Sequence, residues 1–270
     1  MIIEYNKQAI YVGSGGAQWR AGLPTLVMQH GAALDRTVWV LLGRYFARHG
    51  YNVLIPDLPG HGASHGQALS SIEANAQWLN GLVEQLATSH PIAADKLIYC
   101  GHSMGSLVTL EAASARLEKM ANLVLLGSAV PMVVSDALLD AARNNDHAAI
   151  DMINMFGHSF ASRIGNNPIS GISAYNTMEA LLERAGDGVL FADMNACNEY
   201  KNGEKAARRI AGIVTSTVIS GDADRMTPTK LGAKLARTLE GNFILLKDCG
   251  HMMMSEQPES TLVALKQALA

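Results

Sequence analysis

The chain has few cysteines, little excess charge and no long apolar run. Its three cysteines, Cys100, Cys197 and Cys249, are too few and too scattered for a disulfide framework, which favours a reducing compartment. The formal net charge of −3 provides neither a basic face for nucleic acid nor a polybasic patch for a membrane. No apolar segment approaches the roughly 20 residues that span a bilayer, and the first residues lack a signal-peptide pattern. We therefore expect a soluble cytoplasmic protein without nucleic-acid or membrane partners.

The sequence does carry an alternation of short apolar runs and helical patterns, which is typical of an α/β fold with a mostly parallel sheet. At 270 residues, 49% of them hydrophobic, the chain can form one large core with an insertion. The alternation stops after residue 130 and resumes after residue 204. We predict a core domain of residues 1–130 and 205–270, and a helical insertion of residues 131–204. Predicted strands are two within 2–12, then 25–29, 51–56, 96–100, 122–126, 216–220 and 243–246.

One helix start is marked by a capping box. The residues Ser70-Ser71-Ile72-Glu73 precede an apolar stripe that continues to Leu86. A serine followed three positions later by glutamate predicts that Ser70 caps the helix.

The most informative segment is Gly101-His102-Ser103-Met104-Gly105, which follows the predicted strand 96–100 and opens a helical stretch. A serine at such an abrupt strand-to-helix turn has strained backbone angles and an exposed hydroxyl, and helix-terminal amides lie beside it. Glycines two positions away on either side allow close approach to neighbouring backbone. This pattern predicts that Ser103 is a catalytic nucleophile.

A serine nucleophile needs a base and a carboxylate that orients the base. His251 follows the last predicted strand and is the candidate base. Asp222 and Asp224 both follow the strand 216–220. Asp222 lies at a turn, where it can bond its own backbone. Asp224 lies deeper in the loop, from which it can reach a histidine on the next loop, and we favour it.

The developing oxyanion requires two amide donors. We expect them to be the amides of Met104 and of Ala32, which lies in the loop after the strand 25–29. The candidate substrate contacts, on adjacent loops, are His30, Gly31, His102, Met226 and Met252. Of these, His30 also fits a buried structural role. The many methionines near these positions favour an apolar pocket, and we expect neither a metal nor an organic cofactor.

Over nearly its whole length the chain resembles the α/β-hydrolase fold superfamily, within it the lidded esterases, enol-lactonases and carbon–carbon-bond hydrolases. The resemblance rests on short motifs in the family's order: His30-Gly31, Trp39, Asp57-Leu-Pro-Gly-His-Gly-Ala-Ser64, Gly101-His-Ser-Met-Gly105, Gly221-Asp-Ala-Asp224 and Gly250-His251. It implies a sheet of about eight strands, Asp224 as the triad acid, and a cap formed by residues 131–204. It also implies that the loop from Asp57 to Ser64 is structural.

From these features we expect a serine hydrolase that cleaves a small-to-medium apolar carboxylic ester through an acyl-enzyme. Enol-lactone, thioester and carbon–carbon-bond (vinylogous diketone) hydrolysis use the same triad and stay open, as does a cofactor-free perhydrolase or haloperoxidase-like activity. A ligand receptor or scaffold on the same fold is the non-enzymatic alternative.

Overall fold

An eight-stranded sheet runs through the computed structural model, which describes every residue except Ala94, Asn167 and Ile169. Its spatial order is β1-β2-β4-β3-β5-β6-β7-β8. The sequence Gly165–Pro168 predicts a break in the helical pattern of the insertion, and Asn167 within it lies outside the described residues. The strands are β1 Ile2–Tyr5, β2 Gln8–Gly13, β3 Thr25–Gln29, β4 Asn52–Pro56, β5 Leu97–His102, β6 Met120–Leu126, β7 Thr215–Gly221 and β8 Asn242–Leu246.

The sheet is mostly parallel, as predicted. β1 pairs with β2 and β2 pairs with β4 in antiparallel register, whereas all pairings from β4 across to β8 are parallel. β3, β4 and β5 are buried along their whole length, which explains their continuous apolar sequences. The parallel strands end at one common edge, where open α/β sheets carry their binding sites.

Helices cover both faces of the sheet. One face buries Leu26 and Met28 of β3 against α1 and α12, and the other buries Val27 against α2 and α3. No helix in the described part of the chain combines the length and apolar character that a membrane crossing requires. The helices are α1 Val40–Arg48, α2 Ile72–Ser89, α3 Met104–Ser114, α4 Asp136–Arg143, α5 Ala148–Gly157, α6 Phe160–Arg163, α7 Ala174–Leu182, α8 Val189–Glu199, α9 Gly203–Ile210, α10 Thr229–Thr238, α11 Met253–Glu256 and α12 Pro258–Ala268.

The predicted start of α2 is wrong by one residue. Ser71, not Ser70, is the N-cap: its backbone is extended and its hydroxyl accepts a hydrogen bond from the amide of Ala74 at 3.1 Å. The residue three positions beyond the cap is therefore Ala74, so Glu73 cannot return the bond that completes a capping box.

The chain between β6 and β7 contains the helices α4 to α9. α4 packs against α5 and α8, and α5 packs against α7. α9 begins at Gly203, just inside the predicted insertion, yet it packs against α3 and α10 of the core. The helices α4, α5, α7 and α8 therefore pack mainly on one another, whereas α9 packs on helices of the core.

Candidate active site

Ser103 lies at a strained turn between β5 and α3. Its φ of 53° and ψ of −124° lie outside the regions that L-residues favour. The turn is held from both sides: the Ser103 amide donates to the carbonyl of Leu126 at 2.9 Å, and the Ser103 carbonyl accepts from the amide of Ser106 at 2.8 Å. Backbone strain of this kind persists only where surrounding contacts over-determine it, and it is concentrated at functional sites.

The two glycines that flank the serine are required by close backbone packing. A Cβ at Gly101 would overlap the carbonyl oxygen of Gly105. A Cβ at Gly105 would overlap the carbonyl oxygens of Gln29 and His30, at the end of β3. The spacing in the sequence thus reflects a turn that lies directly against the neighbouring strand.

His251 and Asp224 meet at the ends of β8 and β7. His251 Nδ1 lies 2.8 Å from Asp224 Oδ2, and both side chains are buried. A carboxylate only accepts hydrogen bonds, so Nδ1 carries the proton. His251 Nε2 has no hydrogen-bond partner among the described residues. Asp222, the competing carboxylate, is exposed and accepts a bond from the amide of Cys249 at 3.2 Å instead.

The Asp224 carboxylate is held ionised by its surroundings. Its Oδ1 accepts from the amides of Met226 and Thr227, each at 2.8 Å, and its Oδ2 accepts from the Thr227 hydroxyl at 2.6 Å. Burial opposes the charged form, but the facing His251 and these hydrogen bonds outweigh it, so the pKa of Asp224 lies below its ordinary value. Thr227, which the sequence analysis missed, follows Asp224 by three positions.

The loop after β3 lies against the serine. A Cβ placed on Gly31 would be 3.1 Å from Cβ of Ser103, so a side chain at this position would be crowded against the serine. In the described part of the chain, no backbone or side-chain acceptor occupies the amides of Ala32 and Met104. Ser103 is half-buried beside this loop, and two free amides next to a serine hydroxyl are able to stabilise an oxyanion.

A cavity of about 360 Å³ connects these residues. Ser103, His251, Ala32, Met226 and Thr227 line it from the core side. The opposite wall comes from the segment between β6 and β7 and is mainly apolar: Met132, Val133, Val134, Ser135, Leu138, Met152, Phe156, Met194 and Cys197. Arg225 completes the lining; it is exposed, and its guanidinium lies 4.6 Å from the centre of the Phe156 ring.

The predicted substrate contacts divide into two groups. Met226 lines the cavity, whereas His30, Gly31, His102 and Met252 are buried and are not part of its wall in the described chain. The His102 ring donates from Nε2 to the carbonyl of His251 at 2.9 Å. These four residues support the loops behind the cavity, and we do not propose them as substrate contacts.

His30 and His102, which are buried behind the cavity, are neutral. His30 Nδ1 donates to the carbonyl of Gly31 at 2.9 Å, and its Nε2 accepts from the amide of Leu58 at 3.1 Å, so Nε2 carries no proton. Burial, reinforced by the charge of His61, lowers the pKa of His30 to about 4. Burial and the nearby His251 lower the pKa of His102 to about 3.

The segment between β6 and β7 forms hydrogen bonds with the loops that carry His251 and Ala32. The carbonyl of Gly157 accepts from the amides of His251 and Met252, at 2.7 and 3.2 Å. Asp193 of α8 accepts from the amide of Ala33 at 2.8 Å. The sequence predicts a break in the helical pattern at Gly157, and α5 ends there. No sequence signal marked the hydrogen bonds that its carbonyl accepts, or the contact that Asp193 makes.

One group of side chains in the described chain could share a cation: His147, Glu179 and Glu183. They lie on the surface and do not line the cavity, and His147 already pairs with Glu183 and Asp151. The three cysteines are buried and free, and burial raises their thiol pKa values. We propose no metal or cofactor at the cavity.

Known proteins resemble this chain along most of its length. It is 27% identical over 266 residues to the pimeloyl-[acyl-carrier protein] methyl ester esterase of Aromatoleum aromaticum, covering 91% of this chain and 98% of that protein. It is 26% identical to the 2-succinyl-6-hydroxy-2,4-cyclohexadiene-1-carboxylate synthase of Klebsiella pneumoniae, covering 92% and 95%. The crystal structure of the enol-lactonase from Burkholderia xenovorans LB400 superposes with a TM-score of 0.83 at 20% identity, covering 100% and 99%.

The family assignment rests on a match that spans most of the chain. The sequence model of the alpha/beta hydrolase family matches residues 26–265, from the second residue of β3 to α12. That range contains the serine turn, both loops that carry His251 and Asp224, and the whole segment between β6 and β7. The chain belongs to the alpha/beta hydrolase family and is a hydrolase.

Proposed function

We propose that the protein hydrolyses a small-to-medium apolar carboxylic ester through a Ser103–His251–Asp224 triad. The observation that carries this proposal is the shared cavity, which the strained Ser103 and His251 both line. His251 is oriented by Asp224, and its Nε2 has no partner among the residues that the structure describes. Its apolar wall supports an apolar acyl or alcohol group. We also propose that residues 131–204 act as the cap that shapes this wall.

In the first half-reaction His251 Nε2 takes the Ser103 hydroxyl proton while Oγ bonds to the ester carbonyl carbon. The carbonyl oxygen becomes an oxyanion, which the amides of Ala32 and Met104 stabilise. The bond to the alcohol oxygen then breaks, and the His251 proton passes to the leaving alcohol. Asp224 keeps the imidazole in the Nδ1–H tautomer and stabilises its charged form.

In the second half-reaction a water molecule replaces the alcohol. His251 takes a proton from the water, the resulting hydroxide adds to the acyl carbon, and the Oγ–carbon bond breaks. The proton returns to Ser103, and the products are one carboxylic acid and the free enzyme. The net reaction converts one ester and one water molecule into one alcohol and one carboxylic acid.

Enol-lactone, thioester and carbon–carbon-bond hydrolysis, and acyl transfer to peroxide, use the same residues and remain alternatives. The relatives named above include an ester hydrolase and a synthase, so sequence similarity does not select among these reactions. The receptor or scaffold alternative is set aside with the hydrolase assignment.

The test is a substrate panel applied to the wild type and to Ser103→Ala. Aryl esters of increasing acyl length are compared with an enol-lactone, a thioester and a vinylogous diketone. We expect the highest kcat/KM for an aryl ester of short or medium acyl chain, and no measurable activity in Ser103→Ala. A clear preference for the lactone or the diketone would contradict the ester assignment, and equal activity of the two proteins would contradict the triad.

A further inference from the structure

Asp193 connects the cap to the loop that supplies the oxyanion donor Ala32. Its side chain is 1% exposed, and Oδ2 accepts from the amide of Ala33 at 2.8 Å, across 160 positions of sequence. The same oxygen lies 2.8 Å from Nε2 of His61. One carboxylate oxygen of α8 therefore holds two separate loops of the core.

His61 is positively charged in this arrangement. Its Nδ1 lies 3.0 Å from the carbonyl of Pro59 and its Nε2 lies 2.8 Å from Asp193. Both neighbours only accept hydrogen bonds, so both ring nitrogens carry protons. Burial opposes this charge, but the Asp193 carboxylate and the hydrogen bonds outweigh it, so the pKa of His61 lies above its ordinary value. Asp193 and His61 thus form a buried ion pair.

The loop that carries His61 is itself fixed. Asp57 accepts from the amide of Arg36 at 2.7 Å and from the amide of Ala63 at 3.0 Å, and it pairs with the Arg36 guanidinium. His61 therefore holds the Asp193 carboxylate in place, and this carboxylate in turn accepts the hydrogen bond from the Ala33 amide.

The loop at Ala32 and Ala33 needs such support. Ala33 has a φ of 53°, which is strained for a residue with a Cβ. Cavities lie on both sides of the loop: Ala32 lines the substrate cavity, and Ala33 lines a second cavity of about 370 Å³ together with His61. Both residues are buried, and the hydrogen bond from the Ala33 amide to Asp193 fixes the direction of this peptide between the two cavities.

We propose that Asp193 is a positioning residue for the oxyanion hole, acting through Ala33 on the amide of Ala32. The proposal rests on the proposed function, because it gives Ala32 a role in stabilising the oxyanion. The cap then serves the chemical step as well as the shape of the pocket. The bond to the charged carboxylate is stronger than one to a neutral acceptor, and it holds the strained Ala33 in place.

The test measures how fast Ser103 reacts with an alkyl fluorophosphonate, together with kcat and KM for the best aryl ester. Asp193→Leu keeps the approximate size of the side chain and removes Oδ2, which accepts both hydrogen bonds. Because losing an oxyanion donor costs about 100- to 1,000-fold in kcat, a displaced donor is expected to slow labelling and kcat by about 10- to 100-fold with little change in KM. Asp193→Asn keeps one acceptor oxygen without the charge, and we expect a loss of about three- to ten-fold.

Asp140→Leu is the matched control, because Asp140 is an exposed carboxylate of α4 that pairs only with Arg143 among the described residues. It is expected to label at the wild-type rate. Each rate is expressed per folded molecule, and Asp193→Asn, which conserves shape, stands in should the leucine variant fail to fold. A folded Asp193 variant with the wild-type labelling rate and kcat, even if less stable, would overturn the proposal. A wild type that is not labelled would instead contradict the triad itself.

Discussion

His251 Nδ1 lies 2.8 Å from Asp224 Oδ2, and the hydroxyl of Thr227 lies within hydrogen-bond distance of both groups, at 2.6 Å from the carboxylate and 3.2 Å from the ring. The carboxylate is further fixed by two backbone amides. A base that is oriented this firmly through one nitrogen keeps the other nitrogen available for proton transfer.

Replacing the carboxylate of Asp224 with an amide removes the acceptor that holds the Nδ1–H tautomer. We expect Asp224→Asn to lower kcat by about 1,000- to 10,000-fold with a small change in KM. Asp222→Asn is the control, since its exposed side chain accepts one bond, from Cys249, which an amide oxygen can also accept. It is expected to stay within about threefold of the wild type. Steady-state kinetics of both variants test the assignment. A large loss of kcat in Asp222→Asn alone would make Asp222, and not Asp224, the triad acid.

A methyl group at Gly105 has no room beside the end of β3. Because a Cβ would overlap two backbone carbonyl oxygens, Gly105→Ala is expected to lower the free energy of unfolding by about 1–3 kcal/mol or more. Gly186→Ala is the matched control: its Cβ would meet only Cγ2 of Val189, at 3.7 Å. Urea unfolding of the two variants measures the difference. Equal stabilities would contradict the close packing of the serine turn against β3.

Local signals account for most of what the sequence predicted correctly. The strand Thr25–Gln29 is a continuous apolar run in a parallel sheet, and its predicted and observed bounds agree. The turn at Ser103 is marked by glycines whose backbone must approach its neighbours. Such features are visible because the physical requirement and the residues that meet it are a few positions apart in the chain.

The contacts that sequence reasoning missed join residues far apart in the chain. Nothing in the residues around Asp193 indicates that its carboxylate reaches Ala33 and His61. His102 sits beside the serine in sequence, yet its ring turns away to the carbonyl of His251. Only the packing of the helical segment on the sheet decides which of several polar side chains enters the cavity.

The neutral, buried histidines predict that the fold loses stability as the solution becomes acidic. An unfolded histidine takes up a proton below pH 6.5, whereas His30 stays neutral in the fold until about pH 4. Between these values the unfolded state binds more protons, so the free energy of unfolding falls as the pH falls. Replacing His30 should therefore flatten this dependence. The melting temperatures of the wild type and of His30→Gln are measured between about pH 4 and pH 6.5. We expect the melting temperature of the variant to change less with pH.

The control for this pH dependence is His147→Gln. His147 is exposed, and its hydrogen bonds to Glu183 and Asp151 hold its pKa above the ordinary value, so its contribution is lost as the pH rises. Its replacement is expected to leave the acid-side slope unchanged or slightly steeper. A slope that is unaffected by His30→Gln would show that this ring is charged in the folded protein.

The exposed Arg225 gives the cavity a positive group beside its apolar wall. Its guanidinium stacks on Phe156 and has no carboxylate partner among the described residues, so it can pair with an anionic substituent of the substrate. Because exposed ion pairs contribute about 0.2–1 kcal/mol, Arg225→Gln is expected to lower kcat/KM for the monoaryl ester of a dicarboxylic acid by up to about fivefold. The aryl ester of the monocarboxylic acid of equal length should be unaffected. Measuring kcat/KM on both esters separates the effect of the substrate's charge from that of its shape. An equal loss on both esters would show that Arg225 acts only by packing against Phe156.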